Sequence, residues 1–184
     1  MTDWDTQDAI VRLLAVLVSL SCALAGCGRG TAGPASLAKL LPDEVGGAEL
    51  HREAFTGKVW LKSRPQQSFS PEVRANVSKF LERLRKSPSD LSIAWALLPD
   101  GVPKVVAYPV RGACADTLVA SQAEALEAKI CLAKILVSDK DVTVTSAGRG
   151  PARGYLYVKD DILYFAWTDY TSRHEFGELL RMLP

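Results

Sequence analysis

Thirteen consecutive residues without a charge, Leu13 to Ala25 (LLAVLVSLSCALA), constrain this chain more than any other feature. A helix needs about 20 apolar residues to cross the hydrocarbon core of a bilayer, so the run is short for a permanent span. It matches a secretory h-region, which runs for about 7–15 residues. A buried core helix with an incidental cysteine, or an uncleaved signal anchor, would place the same residues differently.

The run ends in Leu24-Ala25-Gly26-Cys27, an aliphatic residue, two small ones and a cysteine. This resembles the lipobox of bacterial lipoproteins. The resemblance covers these four residues and the apolar run before them. It implies that the Cys27 sulfur receives a diacylglycerol and that a signal peptidase recognises Leu24, Ala25 and Gly26. Cleavage would then make Cys27 the first residue of a palmitate-bearing, membrane-anchored protein. Small residues at 25 and 26 let an extended backbone enter a peptidase cleft, and only a thiol supplies the nucleophile for a thioether. A plain secretory cleavage after Ala23-Leu24-Ala25 is the other reading, and it would leave Cys27 as a free thiol. The n-region of a signal should be positive, yet Asp3, Asp5 and Asp8 precede Arg12. A start at Val11 would restore the expected charge, with residues 1–10 an over-extended start.

Beyond the leader, composition points to one domain. The chain has 184 residues, 48% apolar, with 22 basic and 21 acidic side chains, which is the globular range and the size of one ordinary domain. Removing residues 1–26 leaves 21 basic and 18 acidic side chains. A net charge this small argues against a nucleic-acid surface and mildly favours rest near an anionic membrane. Residues 27–45, starting with Gly, Ala, Ser and Pro, read as a flexible tether, and 46–184 as the folded domain.

Hydrophobic periodicity predicts three helices. Pro71–Lys86 carries Val73, Val77, Phe80, Leu81 and Leu84 on one face, with Ser70 as N-cap. Ala115–Glu127 and Ser172–Leu183 follow, the last with Phe176, Leu179, Leu180 and Leu183 as its stripe. Strands are expected at Glu49–Phe55, Lys58–Lys62, Leu91–Leu97, Lys104–Val110, Ile135–Val137, Val142–Val144, Tyr155–Val158 and Ile162–Trp167. Turn signals such as Pro99-Asp100-Gly101 and Asp160-Asp161 pair these strands into antiparallel hairpins. The expected fold is α+β, an antiparallel sheet of hairpins with about three helices packed on one side. Leu41–Gly47, Asp141-Val142-Thr143 and Tyr155–Val158 resemble stretches of uncharacterised secreted bacterial domains, a likeness that implies no activity.

Signals for chemistry are sparse. Cys114 and Cys131 could pair in an oxidising compartment, but the predicted second helix would hold them roughly 20 Å apart. Two small apolar thiols are therefore the favoured expectation. His51 and His174 are the two histidines, and neither lies in a nucleophile-base motif. Zinc-ligand spacings such as C-x-x-C and H-E-x-x-H do not occur. Asp160-Asp161 reads as a turn before it reads as a catalytic pair. Gly148–Arg153 is a basic loop that could meet phosphate headgroups. Trp60, Trp95, Trp167, Tyr155, Tyr157 and Tyr164 lie on expected strands, as core or as a groove for a hydrophobic ligand. The expectation is thus a lipid-anchored binding or scaffolding module without cofactor or metal. Its partners would be the membrane and an unidentified protein or hydrophobic ligand. A secreted enzyme or a structural subunit of an envelope complex is the alternative.

Overall fold

The computed structural model describes residues 33–62, 71–126, 133–146, 153–167 and 170–184. The elements are α1 (Pro34–Ala38), β1 (Glu44–Val45), β2 (Ala48–Glu49), β3 (His51–Thr56), α2 (Gly57–Lys62) and α3 (Pro71–Arg83). They continue with β4 (Ser92–Leu97), β5 (Pro103–Pro109), α4 (Ala115–Ala125), β6 (Ala133–Val137), β7 (Lys140–Ser146), β8 (Arg153–Lys159), β9 (Ile162–Trp167) and α5 (Arg173–Met182). A short 3-10 turn, Pro88–Asp90, leads into β4.

Seven strands form one sheet in the order β3-β4-β5-β9-β8-β7-β6, beside a small β1-β2 hairpin. Every neighbouring pair is antiparallel. After β5 the chain passes through α4, which packs on β8 and β9, and begins β6 at the far edge. The meander β6-β7-β8-β9 then works back inward until β9 pairs with β5. Two hairpins close through two residues each, Ser138-Asp139 and Asp160-Asp161, all four with φ between 49° and 61°. That left-handed geometry matches the twist of the flanking strands.

The α+β class and the hairpin-built antiparallel sheet are those read from the sequence. The helices, however, divide between the two faces. Ala94, Ala96, Val105, Ala107, Tyr155, Tyr157 and Tyr164 face α1, β1 and α5, meeting Leu37, Val45, Phe176, Leu179 and Leu180. Ile93, Trp95, Val106, Tyr108, Leu156, Leu163 and Phe165 face the other way, toward Trp60 of α2, Val77 and Phe80 of α3 and Leu118 of α4. The cause lies in the strands. In β4, β5 and β9 five or six consecutive residues are buried, so both faces need covering.

Two boundaries are corrected. Lys58–Lys62, expected as a strand, is helix α2. Gly57 makes the switch, its N–H donating to the Leu91 carbonyl at 2.7 Å. A Cβ there would meet the Pro88 carbonyl at 2.7 Å. The expected tether over 27–45 ends early: α1 begins at Pro34, and Leu37, Leu41 and Val45 are 0%, 2% and 4% exposed. Leu37 on α1, Leu41 after it and Val45 in β1 all enter the same core, which the Gly/Ala/Ser composition around them conceals. Ser70 lies outside the described residues.

Candidate functional site

Lys104, at the start of β5, is the most buried cation described, with its side chain 10% exposed. Its Nζ donates to Glu175 Oε1 at 2.9 Å and to the Tyr170 carbonyl. Thr171 Oγ1 donates to the Lys104 carbonyl at 2.9 Å. Glu175 is held twice over, because Ser172 and Glu175 form a capping box at the start of α5. The Ser172 N–H donates to Glu175 Oε2 at 2.7 Å, and the Glu175 N–H to Ser172 Oγ at 3.1 Å. Burial pushes the Glu175 carboxyl up, but the bonds from Lys104 and Ser172 outweigh it and hold it below the usual range. This cluster ties α5 to the middle of the sheet. The Ser-x-x-Glu spacing could have been read from the sequence; its partner Lys104, 71 residues away, could not.

The opposite end of α5 is held by Lys140, at the start of β7. Lys140 Nζ donates to the carbonyls of Leu180 at 2.7 Å and Leu183 at 2.8 Å. It also lies 5.2 Å from the centre of the Tyr157 ring. These carbonyls are the last of a helix, where a cation is favoured.

Of the aromatic residues on the expected strands, Trp60, Trp95, Tyr155, Tyr157 and Tyr164 are core. Trp95 stacks on Trp167 with ring centres 5.7 Å apart and planes 2° from parallel, and on Trp60 at 6.4 Å. Tyr157 stacks on Tyr164 at 5.8 Å and Tyr155 on Phe176 at 4.8 Å. Burial pushes the Tyr108 and Tyr164 phenols well above their ordinary value. The rings that could have lined a groove are covered by the protein's own helices, apart from a half-buried Trp167.

The two histidines lie beside carboxylates at the surface. His51 Nε2 lies 3.4 Å from Glu53 and His174 Nδ1 3.8 Å from Glu178, with the imidazoles 67% and 84% exposed. Asp160 and Asp161 form the β8-β9 turn, as expected. Among the described residues no group of three or more His, Cys, Asp or Glu could hold a metal. An open cleft of about 520 Å³ between α3 and α4 is lined by Lys79, Glu82, Arg83, Arg85 and Glu124. Arg83 Nε sits 3.5 Å from Glu124 across it, so its charges partly pair with each other.

Cys114 departs from expectation: its sulfur is in a disulfide. Cys114 caps α4, where Thr117 Oγ1 donates to its carbonyl at 2.7 Å. The helix ends at Ala125 rather than Glu127, which shortens the barrier that argued against a bridge. Cys131 lies outside the described residues, as do Leu24, Ala25, Gly26 and Cys27, and all of the basic loop 148–153 except the backbone of Arg153. No helix among the described residues is long and apolar enough to cross a membrane. No family model, curated protein or solved structure matches the chain.

Proposed function

We propose that the chain is a lipid-anchored extracytoplasmic protein whose one α+β domain binds or scaffolds at a bacterial cell envelope and performs no chemistry of its own. The observation that carries this reading is the register of the Leu13–Ala25 run with Leu24-Ala25-Gly26-Cys27. The apolar run is long enough for export and stops directly at a lipobox. The disulfide at Cys114 supports it, since such bonds persist in oxidising compartments. Retention comes from acyl chains, about 0.8 kcal/mol for each buried methylene, so two or three chains hold firmly. Cys114 is taken up in its disulfide, and both histidines lie beside surface carboxylates.

The test is fractionation of cells with mass spectrometry of the mature N-terminus. The native protein is expected in the membrane fraction, starting at an acylated Cys27, and Cys27→Ser is expected to lose both properties. A native chain that starts upstream of Cys27, or a Cys27→Ser variant that stays with the membrane unchanged, overturns the reading.

A further inference from the structure

Anchoring at Cys27 leaves little chain before the fold begins. Six residues lie between Cys27 and Pro34, where α1 starts, and a fully extended chain covers at most about 25 Å over those seven Cα–Cα steps. A domain the size of residues 33–184 is about 40 Å across. The leash is thus shorter than the body it holds. Leu37 cannot lengthen it by peeling away, because that side chain is fully buried between β3, β4 and the rest of its core.

We propose that the domain lies against the lipid surface through the face that carries α1. This rests on acylation of Cys27. The outward residues of α1 suit close approach to headgroups: Gly33, Ala35 and Ser36 are exposed, small and uncharged, and Lys39 adds an exposed cation. Exposed Asp43, Glu44 and Glu49 follow on the β1-β2 hairpin, and an anionic surface repels them. The domain therefore tilts, leading with the first turn of α1 and lifting the hairpin. The α3-α4 layer, on the opposite face of the sheet, points away from the bilayer. Whatever the domain recognises must come within one domain's breadth of the membrane, so a distant wall layer is out of reach.

Energy transfer tests this on the acylated protein in vesicles of phosphatidylethanolamine and phosphatidylglycerol with acceptor-labelled lipid. A fluorescent amino acid is incorporated at position 36 on α1 or at position 82 on α3; Ser36 and Glu82 are both exposed. Transfer from position 36 is expected to exceed that from position 82 several-fold. Insertion of about forty Gly/Ser residues after Gly28, which adds about 35 Å of root-mean-square reach, is expected to erase the difference. Equal transfer from both positions, or a difference that survives the insertion, overturns the proposal while leaving acylation intact. A protein that carries no acyl mass and does not float with the vesicles removes the anchor itself.

Discussion

Phe165 lies across Gly154 from the neighbouring strand. A Cβ built on Gly154 would enter the ring, 2.8 Å from Cζ and closer to Cε2. Gly154 pairs with Trp167, and Phe165 pairs with Leu156, so the ring leans diagonally into the space that a side chain would need. From there it meets Trp167 edge-on at 4.4 Å. Gly154→Ala is expected to cost about 1–3 kcal/mol through overpacking, seen as a lower urea midpoint. It is also expected to alter the near-ultraviolet signal of the stacked tryptophans. A variant with both readouts unchanged would show that the ring moves aside freely.

Leu37 tests whether the N-terminal segment is part of the fold. Truncating a fully buried leucine typically costs about 2–5 kcal/mol, so Leu37→Ala is expected to lower stability by that amount. A residue in a flexible tether would show no change in the unfolding curve.

Glu175 makes stability depend on acid. Its folded pKa lies below the ordinary value of 4.5, so its contribution is present above that pH and disappears as pH falls through the lower folded value. Glu175→Gln keeps the helix cap but removes the charge beside Lys104. Because the carboxylate is about a third exposed, the loss at neutral pH is expected to be about 1 kcal/mol. Thermal melts of the two proteins should differ at pH 7 and converge toward pH 3. A gap that is constant across this range contradicts the assignment.

Cys114 requires a sulfur partner, and Cys131 follows α4 closely in the chain. The eleven residues of α4 rise about 16 Å, a distance that the six residues from 126 to 131 can retrace. Cys131→Ser is expected to free the Cys114 thiol for maleimide and to cost about 3 kcal/mol, the loop entropy of a bridge of this span. Uptake of maleimide by the native protein in urea without reductant would show that no bridge exists.

Local patterns carried much of the fold into view. β9 and α5 were legible because Ile162–Trp167 follows a two-residue turn signal and because Ser172, Phe176, Leu179 and Leu180 sit at capping and core spacings. The Val59-Trp60-Leu61 triplet imitates a strand; in the helix Trp60 stacks on Trp95, which is distant in sequence. The core roles of Leu37, Leu41 and Val45 were hidden by the small residues around them. Helix placement on two faces departs from the one-sided expectation, although both sides of the β8-β9 hairpin are apolar. The Lys104–Glu175 pair had no local signature on the lysine side, since its meaning depends on a turn 66 residues away that offers the Tyr170 carbonyl.

The seam between β5 and β9 bears on how the molecule comes into being. β9 is the last strand in the chain, yet it occupies the centre of the sheet, and until it arrives β5 has an open flank. Such long-range pairing is slow to form. Under the proposed export, a chain threaded from its leading end cannot complete this architecture halfway through; nearly all of it would have to emerge on the far side before the domain becomes whole.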